Sequence, residues 1–500
     1  MPFPVSGGET GAAESLEKPY LKPERQGRSA SRGWTMKIGT TGLALSIGLA
    51  SLPLGAQTDS LRFRKLRLNP QFYSEGIADG DFDRDGIPDI AAGPYYYPGP
   101  DFARKIAFRQ PRAAPFDTSG DSDCYGLFPH DFDGDGWTDL LSFRQNGGAE
   151  AVWYANNRGA AGYWKENPVF GTVQNESPAW ADVDGDAKPE LITNSNGYGG
   201  WAYPDWTAPA APWSFRRVTA NEKWGAYTHG LGAGDVNGDG RIDLLFSTGW
   251  WERPASSADT PWTAHRAPFG AQTAPQESPG GGQMHVYDVD GDGDGDVVTS
   301  LQAHGYGLAW FENKGGGLAF ESHPILGLPS ERARFGAAFS QLHAVALADL
   351  DGDGLKDIVT GKRKGAHGNG VADVDSPAVL YWFRLERPAG QAPRFTPHLI
   401  DAEAGIGTQI TVADMNGDAR PDILVARRRG AFVFFNEGAG TALRPRPGSG
   451  AGRASGDGRA STPLFPAGGG GISSDALGRT PRESAAAPPG PVRHESVILP

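Results

Sequence analysis

Cysteine is almost absent. Cys124 is the only one in 500 residues, which excludes an internal disulfide and a thiolate metal site. An exported chain of this composition needs another source of stability, and a lone thiol reads as a small buried residue rather than a nucleophile. No basic domain is present to hold nucleic acid, and the formal charge is -13. Catalytic signatures are missing as well: no nucleophile elbow, no phosphate loop and no His-Glu-x-x-His zinc helix. Gly280-Gly281-Gly282 lacks the strand-helix context that a phosphate site needs. Apart from residues 42–54 there is no apolar run that could be weighed as a membrane span.

What the chain has in excess is aspartate at fixed spacing. The clearest copy is the nine-residue stretch 131–139, Asp-Phe-Asp-Gly-Asp-Gly-Trp-Thr-Asp, and six more begin at Asp81, Asp182, Asp235, Asp288, Asp349 and Asp414. Positions 1, 3, 5 and 9 carry oxygen side chains, as a hard cation such as Ca²⁺ requires. These are Asp81, Asp83, Asp85 and Asp89 in the first loop, and Asp131, Asp133, Asp135 and Asp139 in the second. Asp182, Asp184, Asp186 and Glu190 form the third set, and Asp235, Asn237, Asp239 and Asp243 the fourth. The fifth is Asp288, Asp290, Asp292 and Asp296, and the sixth Asp349, Asp351, Asp353 and Asp357. Asp414, Asn416, Asp418 and Asp422 make the seventh. Position 7 can add a backbone carbonyl, and a glycine at position 6 permits the sharp turn. Ala187 and Ala419 replace that glycine, which makes calcium in the third and seventh loops less secure. The loops contain 27 of the 59 acidic residues, so seven divalent ions would bring the chain near neutrality. The acidity is then a metal-binding feature and says little about partners.

The loop starts lie 50, 51, 53, 53, 61 and 65 residues apart. A period near fifty points to a propeller or a solenoid. No 3.6-residue periodicity flanks the loops, so they are not helix-loop-helix sites; short apolar and aromatic runs read as strands instead. In one repeat, strand A is 344–348, strand B 357–360, strand C 380–383 and strand D 394–400, which is one propeller blade. The last repeat lacks a strand D. Residues 61–68 have the strand D pattern and no blade of their own, so they are predicted to complete the seventh blade and close the ring.

At these residues the chain resembles the FG-GAP/VCBS repeat family, also seen in the integrin α-chain head. The resemblance covers about residues 59–437 and rests on all seven loops. It implies an all-β, seven-bladed β-propeller with four strands per blade and calcium in the loops between strands A and B.

Around that domain, residues 1–35 are polar and patternless, and 36–56 read as a secretory signal peptide. Met36 is then expected as the true start, and a single-pass anchor is the competing reading. Residues 438–500, rich in Gly, Pro, Ser and Arg, cannot bury a core and are expected to be disordered. The expected product is a secreted or periplasmic monomer without stable membrane insertion.

The connections D–A and B–C should form the face opposite the calcium loops. Six residues ahead of a loop stand Glu75, Glu176, His229 and His343; His285 is three ahead and Gln409 five ahead. After strand B come Arg144, Asn194, His304, Lys362, Arg363 and Arg428. Five of the ten histidines, including His367 in an insert, map to this face. Solvated rim residues or backbone-satisfied histidines are the bland reading. The sharper reading is a pocket in which His229, His285, His343 and Arg363 are the catalytic candidates. Glu75, Glu176, Arg144, His304 and Gln409 would bind ligand. Histidine and glutamate converging there can act as acid and base, or take a transition metal such as Zn²⁺. Arginine can hold a carboxylate or sulfate. Tyr95, Tyr306, Trp250 and Trp251 could stack on sugars, although packing between blades suits them better. Two functions stay open: a binding module for a glycan or an extracellular protein, and a lyase or dehydratase acting on an anionic sugar.

Overall fold

The computed structural model describes residues 60–440, less 145–149, 257–259, 271–279 and 366–372. The expected leader and signal segment, nearly all of the tail, and His367 lie outside the described residues. Among the described residues the fold is all-β and propeller-like, with one short α-helix, Arg332–Phe335. The sixth repeat follows its sequence pattern closely, as Val345–Ala348, Asp357–Gly361, Leu380–Glu386 and Arg394–Asp401 in an antiparallel meander.

Burial explains why the strands read differently in sequence. Strand B is packed on both faces: Asp422–Arg427 is apolar over four consecutive residues, and in Glu190–Ser195 even the polar side chains are buried. Strand D is half solvated, and Leu61–Asn69 alternates accordingly. The cores lie between successive repeats. Ile192 and Trp201 of the third repeat pack with Leu244, Phe246 and Trp251 of the fourth. Trp250 packs in turn with Val297 and Phe311 of the fifth. Trp250 and Trp251 are each 1% exposed, so neither can stack on a sugar; both are packing residues. Tyr95 is buried too and meets Tyr73 edge-on.

The strands form five separate four-stranded sheets and one sheet of eight. This corrects the expectation of seven separate sheets. Leu231–Gly234 of the fourth repeat pairs in parallel with Gln283–Tyr287 of the fifth, through Leu231, Gly232 and Ala233. Gly232 is the reason: a Cβ there would stand 2.0 Å from the Met284 carbonyl oxygen, so only glycine lets the two backbones meet.

Leu61–Asn69 pairs antiparallel with Gly430–Ala439, in register Leu66 with Val433 and Arg64 with Phe435. The seventh loop's sheet therefore takes its outer strand from the start of the domain. Its strand A, Ile410–Ala413, comes back against Ala78–Gly80 of the first repeat. Two glutamines bind the A strands to each other. The Gln409 side-chain carbonyl accepts from the N–H groups of Ile77 and Leu127 (3.2 and 3.0 Å), and its amide donates to the Leu127 carbonyl. Gln283 donates to the Thr408 carbonyl and accepts from Val345 N–H. Gln409 is thus a tie between repeats and not a ligand-binding residue.

Deleting residues 57–69 should uncover the Gly430–Ala439 edge and leave Phe432 and Phe434 unsupported. Size-exclusion chromatography should then find aggregate and a lowered melting temperature; an equally stable monomer would refute the pairing.

Candidate functional site

The loops are built before any ion is considered. The position 1 carboxylate accepts backbone N–H groups across the turn, as Asp131 does from Asp135 (3.0 Å) and Gly136 (2.8 Å). The position 9 carboxylate is buried and works in two directions. One oxygen of Asp139 accepts from Phe132 N–H (3.1 Å), and the other from Asn156 N–H at the end of strand C (2.7 Å). Six of the seven loops repeat this bridge; Glu190 in the third accepts only from Val183. Burial pushes these acids upward, Asp139 to about 7 and Asp357 to about 8. Burial and then the neighbouring carboxylate also raise the position 3 aspartates Asp83 and Asp133.

This is a site that a cation would relieve. Carboxylate oxygens of Asp131, Asp133 and Asp139 lie within 4.8 Å of one another, as do those of Asp81, Asp83 and Asp85. Oδ1 of Asp83 is buried without a hydrogen bond among the described residues. The residues present therefore fit an oxygen-coordinated divalent ion. The two alanine loops keep the same turn: Ala187 and Ala419 sit at φ 67° and 64°, in the left-handed region. Holding alanine there costs about 1–3 kcal/mol, and Asp182, Asp184, Asp186 and Glu190 still converge.

At the other end of the A strands, side chains from all seven repeats meet. Arg363 is 1% exposed and lies among three carboxylates. It reaches Glu75 (2.7 Å), Asp121 (3.1 Å) and Glu176 (3.5 Å). Arg428 joins them at Glu75 (3.4 Å) and Asp121 (3.1 Å), and donates to the carbonyls of Thr118 and Gly120. Burial works against the Arg363 charge, but Glu75 first, with Tyr125, Glu176 and Asp121, outweighs it and holds the guanidinium above its ordinary value. Nε2 of His229 lies 3.5 Å from Glu176, and the rings of His229, His304 and His343 are mutual neighbours at 5.0–5.6 Å. Lys362, also buried, pairs with Asp373 at 3.1 Å.

The FG-GAP-like repeat model matches residues 131–193 and 288–360. Both stretches start on the first aspartate of a loop whose geometry is described above. The chain carries FG-GAP-like repeats at these two stretches. No curated protein matches it. Solved structures resemble this chain only remotely. One is an Agrocybe aegerita lectin that recognises non-reducing terminal N-acetylglucosamine, at 16% identity and TM-score 0.38, over 63% of this chain and 80% of that one. A second is the rhamnogalacturonan lyase YesW, at 13% identity and TM-score 0.38, over 74% and 75%. A third is BBS1N in complex with ARL6DN, at 10% identity and TM-score 0.41, over 75% and 95%.

The chain gathers Glu75, Glu176, His229, His304, His343 and Arg363 as the sequence suggested, and leaves others out. His285 is in the eight-stranded sheet, its Nε2 bonded to the Val345 carbonyl at 2.9 Å. Burial lowers its pKa, so it is a neutral donor in a backbone contact and no catalytic candidate. Arg144 is held away by Glu166 (2.5 Å) and Glu150 (3.5 Å). Asn194 donates to the Gly225 carbonyl. Arg363 itself is occupied by its carboxylates, which removes it as a donor to a substrate carboxylate or sulfate. Two residues escaped the six-ahead rule. Asp121 lies ten ahead of its loop, in a longer connection. Tyr227, eight ahead, is 52% exposed two residues from His229, and only its aromatic character among polar neighbours could have flagged it.

Replacing Arg363 with Met strands buried carboxylates. Breaking such a network typically costs about 3–5 kcal/mol, so the denaturation midpoint should fall strongly. An unchanged midpoint would mean that the network does not support the fold.

Proposed function

We propose that this is an exported, calcium-loaded propeller that recognises a glycan or protein ligand on the face opposite its calcium loops. The reading takes the fold as a ring of seven blades, the eight-stranded sheet counting as two, fastened by Leu61–Asn69. One observation carries it: every repeat contributes a charged or imidazole side chain to a single cluster. These are Glu75, Asp121, Glu176, His229, His304, Arg363 and Arg428, in chain order. A site that draws one such group from every repeat accounts for the convergence. Tyr227, two residues before His229 in the chain, supplies an exposed aromatic ring of the kind that stacks on a sugar.

A lyase or dehydratase acting on an anionic sugar is the second reading. The three imidazoles beside Glu176 favour it, because histidine exchanges protons near neutral pH. The occupied state of Arg363 and Arg428 weighs against it, since neither is available to hold a substrate carboxylate.

Calcium is expected to be part of the folded state. An ion bound only by the native protein stabilises it by mass action, and several sites sum. Removal of Ca²⁺ with EGTA, verified by metal analysis, should lower the melting temperature by many degrees, and a melt indifferent to the loss would refute calcium loading. Asp133→Ala should lower it more than Asp182→Ala, because the third loop already holds Ala187 at a strained angle.

A glycan array should identify ligands that Tyr227→Ala fails to bind while melting as the parent does. Unsaturated product, read as new ultraviolet absorbance on incubation with uronic-acid polymers, would decide for the lyase instead. Binding that survives at full strength in Tyr227→Ala would move the ligand to another surface.

A further inference from the structure

We propose that His229, His304 and His343 form a transition-metal site of the zinc type, separate from the calcium loops, with Glu176 as the carboxylate that anchors it. Three observations carry the inference. The first is geometric. Ligand nitrogens of the three histidines all lie within 4.8 Å of one another. Nitrogens on a tetrahedral zinc ion stand about 3.3 Å apart, from Zn–N bonds of about 2.0–2.1 Å, so an ion would draw the rings modestly inward. The histidines come from three successive repeats: His229 and His343 just ahead of A strands, His304 just after a B strand. They are supported by strands on each side.

The second observation is an unsatisfied buried group. The His229 side chain is 3% exposed, and neither ring nitrogen makes a hydrogen bond among the described residues. Its nearest carboxylate, Glu176, is 3.5 Å from Nε2, too poorly placed to satisfy it. A buried imidazole without a partner is costly, and a metal ion in the cluster would satisfy it.

The third is charge. Beside the histidines, two guanidiniums, Arg363 and Arg428, meet three carboxylates, Glu75, Asp121 and Glu176. Glu176 is the carboxylate of this group that reaches the histidines, 3.5 Å from Nε2 of His229 and 3.5 Å from Arg363. A cation held by the imidazoles would stand beside that carboxylate, where a positive charge is favoured. Nitrogen ligands select zinc and its neighbours over Ca²⁺, which prefers oxygen. The Arg363 and Arg428 network then acts as the scaffold that fixes the anchoring carboxylate.

The proposal rests on the same face as the proposed ligand site, yet its test uses metal alone and can fail while ligand binding stands. The full chain, kept in excess Ca²⁺ so that the acidic loops stay filled, is titrated with Co²⁺. A single equivalent should bind with the strong visible absorption of four-coordinate cobalt, and Zn²⁺ should displace it. His304→Ala, at the half-buried corner of the cluster, should abolish the band while the melt in Ca²⁺ stays near that of the parent. Glu176→Gln should weaken Co²⁺ by about 10- to 100-fold, the effect of losing a carboxylate behind a metal ligand. His323→Ala is the control, since Glu312, Glu321 and His323 form a second mixed cluster on another part of the surface. Should His304→Ala prove unstable, His229→Gln replaces it. Absence of the cobalt band, or a band lost in His323→Ala and kept in both histidine variants, overturns the proposal.

Discussion

The structure depends on one buried contact repeated down the chain: the carboxylate that closes each aspartate loop. In six of the seven loops its two oxygens hold the backbone of position 2 and the N–H at the end of strand C, as Asp139 holds Phe132 and Asn156. The contact ties the A–B turn to the third strand of the same sheet, so loop and blade form together. An asparagine extends it in several repeats. Asn156, Asn313 and Asn436 send their side-chain amides to the carbonyls of Phe82, Val236 and Leu350, each in the preceding repeat. One acid thus fixes the turn, the sheet and, through its neighbour, the packing of one repeat on the next. The acid sits in a low-dielectric place that raises its pKa, and a divalent ion at the loop would keep it ionised.

Much of this was legible before any coordinates. Seven loops at a near-constant spacing give the repeat, and unbroken apolar runs such as Leu140-Leu141 mark strands buried on both faces. The alternation of residues 61–68 places the outer strand, and Leu61–Asn69 does pair with Gly430–Ala439. What escaped is contact between elements far apart in sequence. Nothing in the sequence distinguishes His285, bonded to a backbone carbonyl, from His304, which joins the cluster. Their registers differ by where a strand begins, and boundaries are the least secure part of any reading from pattern. Gln409 is misread for the same reason, since its partners Ile77 and Leu127 lie some three hundred residues away. Gly232 is plain only once Met284 is seen against it.

The Arg363 cluster shows how far charge can be buried when it is shared. One arginine, 1% exposed, is affordable here because Glu75, Asp121 and Glu176 surround it and Arg428 returns part of the balance. Such a network is weak evidence of stability by itself, because desolvation offsets attraction. Its value is positional. It joins residues from the first, second, third, sixth and seventh repeats, and Gly407 allows the seventh repeat to touch the first, where a Cβ would meet the Glu75 carbonyl at 2.1 Å. Glu75 is therefore fixed by both backbone and side chain.

The two ends of the A strands are consequently under different constraints. At the loop end, residue identity is set by the turn: carboxylates at fixed positions, a left-handed residue at position 6, and little freedom to vary. At the other end the connections have no common length: eight residues separate Phe170 from Ala179, and eighteen separate Ala107 from Gly126. Side chains there are free to differ from repeat to repeat, and they do: glutamate in the first and third, histidine in the fourth and sixth, arginine in the seventh. Repetition builds the frame, and the departures from repetition build a site. The groups gathered there differ from repeat to repeat, so the buried cluster is asymmetric although the frame around it is repetitive.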